Sequence, residues 1–265
     1  MNKLEIYCVT NKKLLFLENT FLKLVAVGTD EFSEKYLRCD YGNNIYAKEK
    51  YYSELTFHYW YWKNALSNTK QDWIGFCQKR RFWINSNMDK NEINIDNLNN
   101  YLLQKLDFKK DNYDAIICEP INISGAKKIK MIKRGWKNLI KDPSIIFQKN
   151  KETISFHFDM HHGYKNLERA IKLLNNKDKK DFELYVNKHT FFNPHIMCIA
   201  RPEILDKWFP SLFDWLERCE NEFGFKNLNG YETTRLYAYL AERYMSFWFK
   251  KYTKFRENPW VSLNL

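Results

Sequence analysis

Three consecutive cations, Lys79, Arg80 and Arg81, close the apolar run Asp72-Trp-Ile-Gly-Phe-Cys-Gln78. A buried strand that ends in such charge is suited to hold an anion, because arginine offers a planar fork that meets phosphate oxygens at two points. In open α/β sheets the ligand crevice lies at the C-terminal ends of the strands. Lys79, Arg80 and Arg81 are therefore read as groups suited to neutralise a diphosphate without a metal; a solvated strand end is the plain alternative. A second constellation, Phe156-His-Phe-Asp-Met-His-His-Gly-Tyr164, gathers three of the six His beside an Asp. Imidazole and carboxylate suit Zn, Mn or Fe, yet His157, Asp159, His161 and His162 lack the spacing His-Glu-x-x-His. Acid/base work on a polar substrate is the favoured reading, since His titrates near neutrality, and a structural cluster stays open beside it. The third constellation, Gly230 to Arg243, carries Glu232, Arg235, Glu242 and Arg243 on an amphipathic helix, where ordinary pairing along the helix face competes with a role in a site.

The elements that must position these groups belong to a chain of 265 residues, 45% hydrophobic and 17% aromatic, enough for a sizeable core. A formal charge of +11 draws anions: nucleic acid, an acidic membrane surface or phosphorylated substrates. The cations are spread along the chain and no helix-turn-helix, zinc-finger or RNP pattern is legible, so nucleic acid is not an expected partner. A P-loop and a Gly-x-Gly-x-x-Gly are absent, which argues against nucleotide kinases of that type and Rossmann dehydrogenases. Six widely scattered Cys with no Cys-x-x-Cys pair read as reduced thiols of a cytosolic protein. The first apolar stretch is too short for a signal peptide, and no run reaches the roughly 18 apolar residues of a membrane span. The expectation is a soluble protein whose basic, aromatic surface can touch a membrane.

Residues 4 to 9 read as a strand, followed by the loop Thr10-Asn-Lys-Lys13. Apolar spacing from Glu49 to Leu66 predicts one helix capped by Ser53, and Trp73 to Phe76 a buried strand. A helix over 92 to 106 followed by a strand over Tyr113 to Cys118 implies a parallel crossover. The Lys-rich stretch from Gly125 to Lys151 reads as a loop or insertion. Phe191 to Ala200 predicts one apolar strand, and helices follow at about 203 to 222 and 231 to 252.

The run Tyr52-Ser-Glu-Leu-Thr-Phe-His-Tyr-Trp-Tyr-Trp-Lys-Asn64, followed by Asp72 to Phe82, resembles a bacterial domain-of-unknown-function family found in capsular and exopolysaccharide gene clusters. Its members typically read Tyr-x-Glu-Leu-Thr, Tyr-Trp-x-Trp-Lys-Asn, then Asp-Tyr-x-Gly-x-x-His-Tyr-Arg-Arg-Tyr, and are regarded as glycosyltransferases. The likeness continues in His161-His162, Phe192-Asn193 and Leu240-Ala-Glu-Arg243, with Phe247-Trp248 beyond. Gln78-Lys79 departs from the family's His-Tyr. The order of elements also resembles the GT-A class of nucleotide-sugar transferases, with Gln78-Lys79-Arg80 where Asp-x-Asp would hold a metal.

What the resemblance implies is an α/β, GT-A-like single domain with a mostly parallel sheet flanked by helices. Residues 1–200 would form the nucleotide-sugar-binding core and 201–265 a helical region. The implied reaction moves a sugar from a nucleotide diphosphate donor, a UDP-sugar, to a capsular or lipopolysaccharide glycan, free or lipid-linked. Donor-binding candidates are Thr10, Glu54, Thr56, Lys79, Arg80, Arg81, Asn193, Glu242 and Arg243; catalytic candidates are Asp159, His161, His162 and Glu232. No cofactor is expected, a divalent metal being the less favoured option, and the implied place is the cytoplasm, with peripheral contact at the inner face of the bacterial membrane. Transfer of a non-sugar group to the same glycan, or mere binding of an anionic polymer, are the alternatives.

Overall fold

The computed structural model describes residues 3–85, 89–106 and 112–265. In chain order the strands are β1 (Leu4–Thr10), β2 (Lys23–Ala26), β3 (Leu37–Arg38), β4 (Trp73–Gln78), β5 (Arg81–Trp83), β6 (Ala115–Cys118), β7 (Ile121–Asn122), β8 (Phe191–Phe192), β9 (Cys198–Ala200), β10 (Phe255–Asn258) and β11 (Trp260–Ser262). The helices are α1 (Glu49–Tyr52), α2 (Leu55–Asn64), α3 (Leu98–Tyr101), α4 (Lys128–Lys141), α5 (Ile154–His162), α6 (Asn166–Lys172), α7 (Asn176–Lys188), α8 (Pro202–Phe223), α9 (Tyr231–Thr234) and α10 (Leu236–Tyr252). The chain forms two compact units, one of Met1–Glu119, His195–Pro210 and Phe249–Leu265, the other of Pro120–Pro194 and Ser211–Trp248.

The first unit is built on a sheet that runs β10-β6-β9-β4-β1-β2-β3, with β5 attached to β4 and β11 to β5. Along the main path all described strands point the same way except β9, which is antiparallel to both β4 and β6. Every residue of β4 is buried, as expected of a strand covered on both faces. Gly75 permits its position, because a Cβ there would stand 2.9 Å from Ile6 Cγ1 and 3.0 Å from Ile199 Cγ1. One face of the sheet is covered by Ile6, Leu24, Trp73, Trp83, Ile116 and Ile199 among others. Against the other lies an aromatic layer, in which Tyr7 meets Phe57 and Tyr61 with ring centroids 5.2 and 5.1 Å apart. All six Cys are buried.

Several expectations change at this level. The helix from 49 to 66 breaks at Ser53, whose φ of 53° cannot continue it. Ser53 contributes no side-chain cap; its carbonyl instead accepts from the Thr56 N–H at 3.2 Å and hydroxyl at 2.8 Å. Within 92 to 106 only α3 is α-helical, because Asn94 and Asn97 side chains bind nearby backbone N–H groups and hold turns instead. The segment after it runs extended, Leu103 N–H reaching the Trp83 carbonyl at 3.0 Å; residues 107–111 lie outside the described ones. β4 and β6 are parallel, but β9 stands between them. The strand expected over 191 to 200 is two, since Asn193-Pro194-His195 interrupts it and His195 takes φ 66°.

His58 on α2 is 1% exposed, its ring 4.3 Å from that of Phe76 and 6.1 Å from that of Phe209. Its Nδ1 has no hydrogen-bond partner among the described residues. Burial lowers its pKa from 6.5 to about 3. The folded state thus keeps a neutral ring that the unfolded chain protonates below pH 6.5, so stability is full above that pH and is lost as pH falls toward 3. Between pH 7.5 and 5 this one group costs about 2 kcal/mol. Urea denaturation at the two pH values should show His58→Phe losing about 2 kcal/mol less than the parent; equal losses would remove His58 from the acid response.

The second unit packs α5, α6 and α7 with the later turns of α8 and most of α10 around Phe182, whose ring lies 6.1 Å from Trp215, 5.4 Å from Tyr244 and 5.1 Å from Phe247. The stretch expected to be a loop over 125 to 151 holds α4. Its inner residues Met131, Gly135 and Leu139 recur every four positions and pack with Phe156 and Met160. Gly135 allows that approach, because a Cβ there would stand 2.9 Å from the Phe156 ring.

Candidate functional site

In the first unit the C-terminal ends of β1, β2 and β4 come together at one edge of the sheet. Lys79 N–H donates to the Val9 carbonyl at 3.1 Å and Val27 N–H to the Thr10 carbonyl at 2.9 Å, so the three following loops leave side by side. Gly28, at φ 79°, sits so near that a Cβ on it would lie 3.3 Å from Asn11 Cβ. At this edge β4 reverses through Lys79 and Arg80 into β5, with Gln78 opposite Arg81. The reversal fans the three cations out. Lys79 donates its ammonium hydrogen to Asn11 Oδ1, and Asn11 Nδ2 in turn reaches Glu49 Oε1 at 3.3 Å. Arg81 donates to Gln78 Oε1 at 2.8 Å, while the Gln78 amide donates to the Glu54 carboxylate. Arg80 is exposed, its guanidinium 3.4 Å from the Leu265 carbonyl oxygen. Thr10 and Thr56 shape backbone: the Thr10 hydroxyl donates to the Lys12 carbonyl at 2.6 Å, and that of Thr56 holds Ser53.

In the second unit, Thr153 starts α5 by accepting the Phe156 N–H at 3.3 Å. His157 and His161 follow one turn apart, their rings 4.6 Å from each other. Arg243 is 2% exposed, its guanidinium 3.9 Å from the centroid of Phe192, paired with Glu242 and 3.5 Å from His157 Nδ1. Burial first and Arg243 second push the His157 pKa down to about 2. His162 donates from Nδ1 to the Glu232 carbonyl at 2.9 Å and stacks on Tyr239 at 3.7 Å, and burial, then Arg243, bring it to about 3. His161 is lowered by burial and then by Lys130, and its Nδ1 accepts from Arg134 at 3.2 Å. Burial, the largest single influence, raises Glu232, but the Arg134 hydrogen bond at 2.5 Å, the Arg134 charge and His161 together outweigh it, and the carboxyl is held below its usual range.

The imidazoles are therefore neutral near pH 7 and differ in tautomer. Guanidinium only donates, so His157 and His161 accept at Nδ1 and carry their proton on Nε2. His162 carries it on Nδ1 and keeps the Nε2 lone pair.

Asp159 accepts from Asn138 Nδ2 and from the Lys165 N–H, both at 2.9 Å, tying α4 to the turn after α5; burial raises its pKa. Asn193 is fully buried in a clasp with Ser246, its N–H and Oδ1 bonding the one hydroxyl at 2.9 and 2.8 Å. Thr10, Glu54, Thr56, Lys79, Arg80 and Arg81 thus belong to the first unit; His161, His162 and Glu232 cluster in the second, as do Glu242 and Arg243. Sequence reasoning left out Asn11, Glu49, Gln78 and Arg134, each recognisable only through the partner it holds. Among the described residues no group of three or more His, Cys, Asp or Glu is placed to hold a metal ion, and no described helix is long and apolar enough to cross a membrane.

The solved apo structure of WbbM, a bifunctional glycosyltransferase, matches this fold with a TM-score of 0.71 and 17% sequence identity. The match covers 100% of this chain and 46% of that one, so the chain spans under half of that protein's length. No curated protein matches the sequence. The shared architecture, six parallel strands with one antiparallel strand inserted and helices on both faces, is the GT-A-like fold. From residue 5 to residue 254 the sequence fits a single family profile, and the chain belongs to the domain of unknown function family DUF4422.

Proposed function

We propose that the protein transfers a sugar from a nucleotide diphosphate donor, a UDP-sugar, to a hydroxyl of a capsular or lipopolysaccharide glycan. The observation that carries this reading is the cationic reversal Lys79-Arg80-Arg81 at the edge where β1, β2 and β4 end. Ligands of α/β sheets bind at such an edge, and the likeness to a solved glycosyltransferase supports the reading. In the reaction the acceptor oxygen bonds to the anomeric carbon, the bond from that carbon to the phosphate oxygen breaks, and the hydroxyl proton passes to a base. The departing diphosphate needs fixed positive charge that does not reorganise during the step. Arg80, exposed at the turn, meets the diphosphate; Lys79 is held beside it by Asn11, and the relay Arg81–Gln78–Glu54 fixes the shape of the turn. These cations do the charge work for which other enzymes use a divalent ion, and no cofactor is proposed. Within the second unit, His162, whose Nε2 keeps a lone pair, is the first proposed proton-handling group, with Glu232 and Asp159 as further candidates; His161, an Nε2–H donor, would orient a polar group.

Turnover of a panel of UDP-sugars, followed by release of UDP, tests the proposal. Full activity in excess chelator is expected. Activity that disappears with chelator and returns only with Mn or Mg contradicts the metal-independent part, and no turnover or binding of any nucleotide sugar contradicts the whole.

A further inference from the structure

α4 has an outer apolar face as well as an inner one. Ile129 is 81% exposed, Ile132 55%, Trp136 51% and Ile140 72%, spaced so that all four lie along one stripe of the helix. Phe147, beyond the helix, is 77% exposed with its ring centroid 5.1 Å from Lys128 Nζ, beside the first turn of α4. Soluble proteins scatter single apolar residues over their surfaces but seldom align them. The rest of the solvent side is cationic: Lys127, Lys128, Lys130, Lys133, Arg134, Lys137 and Lys141, with no Asp or Glu from residue 120 to residue 141. Of these cations only Arg134 has a carboxylate partner among the described residues. Lys137 and Lys141 place their ammonium groups 5.2 and 5.5 Å from the ring of Tyr164, adding a further aromatic to the charged margin.

We propose that the outer face of α4, with Phe147, is a docking surface for the polar–apolar boundary of a bilayer rich in anionic phospholipid. A helix of this kind lies in the plane of the interface, its Ile and Trp side chains below the headgroups and its Lys side chains extended to lipid phosphates. Charge complementarity selects this occupant. A second copy of the chain would set seven cations against seven. A nucleic acid would use the cations and a ring or two, but would leave three Ile side chains in water. The inner residues Met131, Gly135 and Leu139 already pack against α5, so the helix is held with its outer stripe outward before it meets a membrane. This surface stands independently of the reaction the protein performs.

Co-sedimentation of the full chain with vesicles tests it. Partition onto phosphatidylcholine vesicles containing phosphatidylglycerol is expected, with little on phosphatidylcholine alone. The double substitution Trp136→Ala, Ile140→Ala should weaken partition by about 100-fold or more, at roughly tenfold or more per apolar anchor. Lys133→Gln with Lys137→Gln should weaken it by about 30-fold, at roughly fivefold per cation. Both variants change exposed residues only, and an unchanged melting curve verifies their folding. The proposal is overturned if the mixed vesicles do not bind, or if they bind the apolar double variant as tightly as the parent, which would assign the attraction to net charge alone. It is equally overturned if single-stranded RNA binds through this face while vesicles do not.

Discussion

Arg80→Ala should lower sugar transfer by about 100- to 1,000-fold and leave the melting temperature where it was. The magnitude is that of removing one preorganised group aimed at charge that develops in the transition state. The unchanged stability follows from position. Arg80 is exposed at the reversal between β4 and β5, and the one hydrogen bond of its side chain among the described residues is the 3.4 Å contact to Leu265; the 2.8 Å bond from Leu263 N–H to its backbone carbonyl survives the substitution, and Gln78 and Arg81 hold the hairpin itself. Arg80→Lys should recover only part of the rate, because a point charge lacks the two-point match of the guanidinium to a diphosphate. Steady-state assay with a thermal melt on the same sample separates the outcomes. A normal rate removes the cationic turn from the site, and a fall in rate that merely follows a fall in melting temperature makes the turn structural.

Arg243→Ala should be the most destabilising of the candidate-site substitutions, by about 3–5 kcal/mol, the range seen when one member of a buried ion pair is deleted. The guanidinium is buried, pairs with Glu242, lies over Phe192 and meets His157. Its loss leaves a carboxylate with little solvent, an imidazole without its donor and a cavity the size of the side chain. For a chain of this size the melting temperature should drop by about 6–20 °C. Arg243→Lys should not rescue it, since an ammonium cannot lie flat on the ring and reach both partners. If calorimetry shows a shift of a degree or less together with a large loss of transfer, Arg243 contacts substrate and its burial is no measure of its role.

The parallel core was legible because β1 and β4 are short apolar runs that end in polar loops, and the cationic end of β4 was legible because three charges follow a strand with none. The turn geometry was not. Nothing in Gln78-Lys79-Arg80-Arg81 announces a reversal, and the pairing with β11, which fixes it, involves residues about 180 positions later. α4 was hidden by its own surface, for the exposed Ile129, Ile132 and Ile140 and seven cations blur the period that Met131, Gly135 and Leu139 alone would have shown. The histidines were visible as a cluster, but their tautomers depend on Arg134, Arg243 and the Glu232 carbonyl, which only the fold supplies. The break at Ser53 was missed because periodicity sees side chains and not a backbone that turns to positive φ.

The central claim is that fixed cations at the end of β4 receive the diphosphate. Calorimetric titration of UDP into the protein in excess chelator addresses it most directly. Binding that persists without divalent ion and weakens at least tenfold in Arg80→Ala is the predicted result; UDP that binds only after Mn or Mg is added, and equally well to Arg80→Ala, would contradict it.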